Sequence, residues 1–278
     1  MKIDAHQHFW ALERGDYGWL TPELAPLYRD FLPDELSPIL RANGVEGTVL
    51  VQAAPTVAET EFLLGLADNI SFILGVVGWV DFDATDATAQ IAQHATHPKL
   101  VGLRPMIQDI PDVNWMLSTD HARIFEVMAN ADLVFDALVL PKHLPNLRTL
   151  LANHPKLRVV IDHAAKPDIA TGDFDDWSVN MALLAKETTA YVKLSGLVTQ
   201  AQKDWSVAQL QPYVDHLLEQ FGPTRIIWGS DWPVCTLAST YDAWRAAADQ
   251  LLNGIDGSER DAIFGENAAR IYKIEGTS

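Results

Sequence analysis

The segment Ile226-Ile227-Trp228-Gly229-Ser230-Asp231 shows the pattern that decides the fold, because it is a short apolar run that ends in a polar side chain. A continuous apolar run of this length is typical of a strand that is buried on both faces of a parallel sheet. Seven similar runs precede it, at residues 2–6, 48–53, 72–80, 100–106, 133–139, 157–163 and 191–195. The sequence therefore predicts eight buried strands.

Stretches with helical spacing separate most of these strands. Leu144, Leu147, Leu150 and Leu151 recur at intervals of three and four, which places them on one helix face. The strands begin about 32 residues apart, a length that suits one strand, one loop and one helix. Eight such units predict an α/β protein with a single-domain (β/α)8 TIM barrel over residues 1–278. A doubly wound sheet is the alternative fold, which eight strands in one domain disfavour.

Composition and charge exclude several classes of protein. The chain is 48% hydrophobic and 21% charged, which excludes disorder, collagen and coiled coil. Its net charge of −17 repels phosphate backbones and anionic lipid heads, so we expect neither a nucleic acid nor a membrane as partner. The single cysteine, Cys235, excludes an internal disulfide framework. Without a signal-peptide pattern or an apolar run of ~18 residues, the expected location is the cytoplasm.

The first strand ends in the pair His6-Gln7-His8. In a (β/α)8 barrel the active site lies at the carboxyl ends of the strands. Two strand residues that are two positions apart point to the same side, so both imidazoles are candidates to bind one metal ion or one substrate oxygen. The alternative is a pair of surface histidines in a short loop. Asp4 needs partners if it is buried, and we expect it to orient the pair.

Three further strand ends supply candidate catalytic residues. Asp231 follows a strongly apolar strand, where a carboxylate is costly to bury unless it is paired or used in chemistry. The alternative, a helix N-cap, is disfavoured by Pro233. His163 ends the sixth run, where the alternative is a buried histidine with satisfied hydrogen bonds. Arg104 ends the fourth run, and its guanidinium suits a carbonyl or carboxylate oxygen.

Other polar and aromatic residues at the strand ends are candidates for substrate contacts. Trp19 lies in the loop after the first strand, while Trp79 and Trp232 follow two other strands. A flat aromatic face can pack against a sugar ring, although tryptophan also builds ordinary core. Gln52 ends the second run and joins these three in the predicted substrate-binding shell. The remaining polar residues at strand ends are Asp136, Lys193 and Ser195.

Four segments of the chain resemble the amidohydrolase superfamily, in order and over essentially its whole length. They are Ile3-Asp4-Ala5-His6-Gln7-His8-Phe9-Trp10, Ile161-Asp162-His163 with Lys166-Pro167, Gly229-Ser230-Asp231-Trp232-Pro233, and Gly265-Glu266-Asn267-Ala268-Ala269-Arg270. Two further segments, Tyr17-Gly18-Trp19-Leu20 and Gly102-Leu103-Arg104, narrow the resemblance to the amidohydrolase-2 branch, which contains sugar-lactone hydrolases.

The resemblance implies a hydrolase that opens an aldono-1,4- or 1,5-lactone, such as L-fuconolactone or L-rhamnonolactone. Asp231 is then the general base that activates water. The developing oxyanion is met either by a divalent ion such as Zn²⁺ on His6, His8 and Asp231, or directly by His163 and Arg104. Many members of the superfamily have two late histidines and a bridging Lys or Glu. With one recognisable late histidine here, the resemblance implies at most one metal ion, and hydrolysis without metal is the alternative.

Three other functions remain open from the sequence. A metal-dependent decarboxylase of the same branch would prefer aromatic acids, and a lactone isomerase would consume lactone without releasing acid. A non-catalytic sugar-binding barrel would bind lactone unchanged.

Overall fold

A computed structural model describes residues 1–274 and contains the eight predicted strands in one parallel sheet, with the strand order equal to the chain order. The strands are β1 Ile3–Gln7, β2 Gly47–Val51, β3 Ile73–Gly78, β4 Leu100–Leu103, β5 Val134–Ala137, β6 Val159–Ile161, β7 Tyr191–Leu194 and β8 Ile226–Trp228. The predicted (β/α)8 barrel is confirmed, and the doubly wound alternative is wrong because the strand order never reverses. A single domain over 1–278 stays a prediction, since 275–278 lie outside the described residues.

Each strand is followed by one helix that covers the outside of the barrel. These helices are α1 Pro33–Ala42, α2 Val57–Asn69, α3 Ala87–His94, α4 Thr119–Asn130, α5 Leu144–Asn153, α6 Asp175–Glu187, α7 Val207–Phe221 and α8 Tyr241–Leu251. Two short helices, α9 Gly257–Asp261 and α10 Asn267–Ile271, follow the last unit. The leucine face predicted from 144–151 is buried in α5. No helix within residues 1–274 is long and apolar enough to cross a bilayer.

The strands are apolar on both faces because each face packs in a different hydrophobic cluster. Alternate strand residues point to opposite faces, so Leu50 packs in the cluster that the helices cover, while Val49 and Val51 belong to a second cluster. That second cluster draws on the other strands and on Tyr272, which follows α10. It fills the barrel interior with branched side chains, as in other barrels of this type.

Seven of the eight strands are shorter in the structure than the predicted runs, and the sixth and eighth strands show the reason. The sixth run was predicted over 157–163 and the eighth over 226–231, whereas β6 and β8 end at Ile161 and Trp228. The polar residues beyond these points leave the sheet to form turns, with a positive φ at His163 and at Asp231. The polar ends of these two runs therefore lie in turns beyond the strands and not in the hydrogen-bonded sheet.

The barrel closes between β1 and the segment that follows β8. The backbone N–H of Asp231 donates to the carbonyl of His6 at 2.8 Å, and that of His8 donates to the carbonyl of Trp232 at 2.8 Å. The Asp4 carboxylate accepts from the backbone N–H of Ser230 at 2.8 Å and from that of His6 at 3.2 Å. Asp4 thus positions the backbone of both segments.

Gly229 allows this close approach because a Cβ atom at its position would lie 2.6 Å from Cβ of His6. We expect Gly229→Ala to lower the free energy of unfolding by about 1–3 kcal/mol, since the added methyl group overpacks the closure. Urea unfolding followed by circular dichroism measures the change. Gly254→Ala is the control, because its added methyl group meets nothing within 4 Å. Equal stability of the two variants would contradict the proposed crowding.

Candidate active site

Four of the predicted residues meet at the carboxyl end of the barrel. One carboxylate oxygen of Asp231 lies 3.4 Å from Nε2 of His8, 3.8 Å from Nε2 of His6 and 4.0 Å from Nε2 of His163. The Nε2 atoms of His6 and His8 are 3.2 Å apart. The ends of β1, β6 and β8 thus bring three imidazoles around one carboxylate, which is close enough for a shared proton or a bridging water.

Left-handed backbone turns aim two of these side chains. Asp231 has a φ of 58°, and four successive residues, His163 to Lys166, have φ between 51° and 60°. This conformation is unfavourable for residues other than glycine. The ring of His163 turns toward β7, where Nδ1 lies 2.9 Å from the Ser195 hydroxyl. The residue after Ser195 is Gly196, and a glycine is required there because a Cβ atom would lie 2.5 Å from Nδ1 of His163.

A layer of buried charge lies directly below the imidazoles. The Lys193 ammonium lies 2.9 Å from a carboxylate oxygen of Asp162, 2.5 Å from one of Asp136 and 3.2 Å from Nδ1 of His6. The Tyr272 hydroxyl donates to Asp136 from below at 2.8 Å. From the sequence, Lys193 and Asp136 were candidates for substrate contact, whereas Asp162 was assigned no role although it follows β6 directly.

Burial keeps the imidazoles neutral near pH 7. Burial lowers the pKa of His163 to about 4 and that of His8 below its ordinary value, and burial together with the Lys193 charge holds the pKa of His6 well below it. Burial also raises the pKa of Asp231, but the three imidazoles outweigh it and keep that carboxyl ionised. The site therefore presents an ionised carboxylate among neutral imidazoles, which suits a proton acceptor.

Arg104 is buried and has several partners in the wall of the site. One terminal nitrogen lies 3.3 Å from Nε2 of His6 and 3.3 Å from a carboxylate oxygen of Asp162, and the other donates to the carbonyl of Gln52. The Gln52 amide donates back to the carbonyl of Arg104 at 2.7 Å. Gln52 thus acts through Arg104 and has no exposed surface of its own.

A cavity of about 290 Å³ opens above these residues, and the predicted residues divide between its wall and the core. Trp19, Arg104 and His163 line it together with His8 and Asp231. Residues of the wall that the sequence reading did not assign are Ala53, Met106, Gln108, Asp109, Leu138, Lys166, Thr199 and Val234. Lys166 did carry a signal, since it follows His163 by three positions in a motif that the sequence showed.

Two predicted substrate-contacting tryptophans lie elsewhere. Trp232 is 2% exposed and packs edge to face between Phe9 and Phe31, with ring centroids 6.0 and 5.3 Å away. Trp79 lines a neighbouring cavity of about 220 Å³, which it shares with Trp115. An aromatic residue at a strand end can turn to the core as readily as to the barrel mouth, so its position alone does not decide its contacts.

His6, His163 and Asp231 have donor atoms that lie within 4.8 Å of one another, a spacing at which they could share a metal ion. His8 presents Nε2 to the same place, because its Nδ1 is 2.7 Å from the carbonyl of Val51. Imidazoles with one carboxylate form a donor set that suits Zn²⁺. The donors fit, yet the cations of Lys193 and Arg104 contact the two ring nitrogens of His6 and oppose a further positive charge there.

A (β/α)8 barrel with imidazoles and an ionised carboxylate at its strand ends has the groups that a hydrolase can use to activate water. The chain belongs to the amidohydrolase family, whose model, described as Amidohydrolase, matches residues 3–274.

Two curated relatives and one crystal structure are similar to this chain over almost its whole length. An L-fucono-1,5-lactonase of Burkholderia ambifaria is 45% identical over 278 residues, covering 99% of this chain and 96% of the relative. An L-fucono-1,5-lactonase of Burkholderia multivorans is 36% identical over 288 residues, with coverage of 99% and 96%. A crystal structure of an amidohydrolase from Burkholderia multivorans with bound zinc superposes with a TM-score of 0.92 at 35% identity, covering 99% of this chain and 100% of that one.

The buried charge layer makes a prediction about stability. Lys193→Met leaves Asp136 and Asp162 without their shared cation, and we expect the free energy of unfolding to fall by about 3–5 kcal/mol in urea titrations. The double variant Lys193→Met/Asp136→Asn removes one of the two charges while keeping an acceptor for Tyr272, so it should regain part of that loss. Lys203→Met, at an exposed position, is the control. A double variant as unstable as the sum of its single changes would refute the shared-cation interpretation.

Proposed function

We propose that this protein hydrolyses a sugar lactone to the open-chain aldonic acid, with L-fucono-1,5-lactone as its substrate and Asp231 as the general base. The observation that carries the proposal is the ionised Asp231 carboxylate among neutral imidazoles on the wall of a cavity of about 290 Å³. A cavity near the lower end of the small-molecule range fits one sugar ring. The two L-fucono-1,5-lactonases at 45% and 36% identity support the sugar and the ring size.

Asp231 begins the reaction by activating water. A lactone is a cyclic ester, so hydrolysis joins the water oxygen to the carbonyl carbon and breaks the bond from that carbon to the ring oxygen. Asp231 accepts a proton from the water as the new bond forms. When the tetrahedral intermediate collapses, the ring oxygen leaves as an alcohol and takes that proton back. One lactone and one water thus give one hydroxy acid.

His163 and Arg104 face the oxygen that becomes negative. The Ser195 hydroxyl can donate to Nδ1 of His163, which leaves the proton on Nε2 and directs it into the cavity. The Arg104 guanidinium adds a fixed positive charge on the same wall. Donors held in place before the reaction stabilise an oxyanion without reorganisation. Trp19 is held by a 2.6 Å hydrogen bond to the carbonyl of Ala53 and offers its indole to the sugar ring.

The charges around His6 bear on whether hydrolysis requires a metal ion. His6, His163 and Asp231, with His8 beside them, are the residues that would hold Zn²⁺, which when bound polarises a carbonyl oxygen or acidifies a water. Lys193 and Arg104 already supply two positive charges next to His6. The residues alone thus provide a base, a proton donor and positive charge, and we propose hydrolysis without an obligatory metal.

Asp231→Asn tests the base, and chelation tests the metal. We expect Asp231→Asn to lower kcat by about 10²- to 10⁴-fold, because it deletes the proton acceptor. Prolonged dialysis against a strong chelator should leave the wild-type rate within about twofold, since proton transfer does not depend on the ion. Acid release from L-fucono-1,5-lactone, followed with a pH indicator, measures both.

Asp109→Asn is the matched control, because Asp109 is a carboxylate on the wall of the same cavity. It should keep near-normal kcat. Near-normal turnover by Asp231→Asn would exclude that residue as the base. Loss of activity in chelator with recovery on adding Zn²⁺ would make the metal essential.

A substrate panel separates the alternative functions. Lactone consumed without acid release would identify an isomerase, and turnover of hydroxybenzoates with loss of CO₂ would identify a decarboxylase. Lactone bound unchanged, with affinity kept in Asp231→Asn, would identify a binding protein. We expect acid release from L-fucono-1,5-lactone to exceed that from L-rhamnonolactone.

A further inference from the structure

The cavity wall contains a cation, Lys166, that forms no ion pair with a carboxylate of residues 1–274. Lys166 is half-buried, and its ammonium donates to the amide oxygen of Gln108 at 2.6 Å. The carboxylates of Asp109 and Asp231 line the same cavity and attract this ammonium from a distance, but no carboxylate in residues 1–274 forms an ion pair with it. An ammonium that is hydrogen-bonded to a neutral amide can still form an ion pair with an anionic ligand.

The other two cations of the site differ in this respect. Lys193 lies between Asp136 and Asp162, and Arg104 also lies beside Asp162. Their charges are compensated within the wall, which is what buried charges require. Lys166 is therefore the cation of the site that has no ion pair in the described part of the chain, although the carboxylates of Asp109, Asp162 and Asp231 attract it from a greater distance.

The backbone that carries Lys166 is held in a costly shape. The turn from His163 to Lys166 has four consecutive positive φ values without a glycine, at about 1–2 kcal/mol for each residue. The Trp177 indole fixes it by donating to the carbonyl of Ala164 at 2.7 Å. Strain that the surrounding structure maintains is concentrated at functional positions. Here the turn places both His163 and Lys166 on the wall of one cavity.

We propose that Lys166, positioned by Gln108, forms a subsite in this cavity that binds the carboxylate of a polyhydroxy acid. This inference rests on the proposed function, because lactone hydrolysis converts a neutral ring into an anion. The new carboxylate arises beside Asp231, and two carboxylates in one cavity repel each other. The Lys166 ammonium offsets that repulsion and donates a charge-assisted hydrogen bond to the new carboxylate. Substrate and product then differ in how much they depend on Lys166.

The same carboxylate chemistry has two possible sources. One is the aldonate that hydrolysis produces, and the other is a second carboxylate on the substrate itself, as in the lactone of an aldaric acid. In the first case Lys166 governs product inhibition, and in the second it governs substrate choice.

Calorimetric titration tests the subsite without turnover. L-fuconate is the anionic probe, and L-fucitol, with the same carbon chain but no charge, is the neutral one. We expect Lys166→Met to raise the Kd for L-fuconate about tenfold or more and to leave that for L-fucitol within about threefold. Lys166→Arg should keep L-fuconate binding within about threefold. Lys203→Met, at an exposed lysine outside the cavity, should change neither.

Gln108→Glu provides a second variant that keeps Lys166 in place. It supplies the missing carboxylate partner, so it should weaken L-fuconate binding as strongly as Lys166→Met does. Unchanged L-fuconate affinity in both variants would overturn the proposal. Equal weakening of L-fuconate and L-fucitol would overturn it too, because a merely structural role or hydroxyl binding moves both probes.

Steady-state kinetics then separate the two sources and the two proposals. If the product is the ligand, Lys166→Met raises the inhibition constant of L-fuconate about tenfold, and by a larger factor than it raises KM for the neutral L-fucono-1,5-lactone. If the substrate carries the carboxylate, the wild type prefers D-glucaro-1,4-lactone and Lys166→Met loses that preference. Lys166-dependent L-fuconate binding by a protein that hydrolyses no lactone would refute the proposed function and leave the subsite standing.

Discussion

The hydrogen bonds that join β1 to the segment after β8 are the constraint on which the rest of the structure depends. They close the barrel, and they are made by the backbones of His6, His8, Asp231 and Trp232, so the closure and the site are one piece of chain. The side chains of three of these residues then have little freedom in where they point. Asp4 and Gly229 serve this crossing, one as a hydrogen-bond acceptor and the other by its lack of a Cβ atom. A barrel that failed to close here would lack both the hydrogen bonds between its first and last strands and the correctly placed Asp231 carboxylate.

Charge inside the barrel is arranged in two levels with different tasks. The lower level, Lys193 with Asp136 and Asp162, is paired, and pairing limits the cost of burying three ionised groups. The upper level, the imidazoles around Asp231, is neutral except for the carboxylate, because burial lowers the pKa of each histidine. Arg104 spans both levels through Asp162 and His6. The paired charges below thus allow a single reactive charge to face the cavity above.

The sequence predicted the strands and the meeting of His6, His8, His163 and Asp231 for one physical reason. Strands buried on both faces must be apolar throughout, so a polar residue marks the point where each strand leaves the sheet, and parallel strands end at the same edge. Features that depend on distance or rotation were not predictable in this way. A strand-end aromatic turns to the core or to the mouth according to its neighbours, as Trp232 and Trp79 show. No propensity favours the left-handed turn that delivers Lys166, because tertiary packing imposes it.

The contact between Tyr272 and Asp136 connects the carboxyl-terminal part of the chain to the centre of the barrel. The site thereby joins β1, the first strand of the barrel in chain order, with a side chain that follows α10. Contacts this far apart in sequence impose a large loop-closure entropy and form late in folding. During translation, a nascent chain that has released only residues up to β7 from the ribosome has His6 but neither Asp231 nor the tyrosine below Lys193. A partly synthesised chain therefore has no complete active site, and the site forms only when the barrel closes.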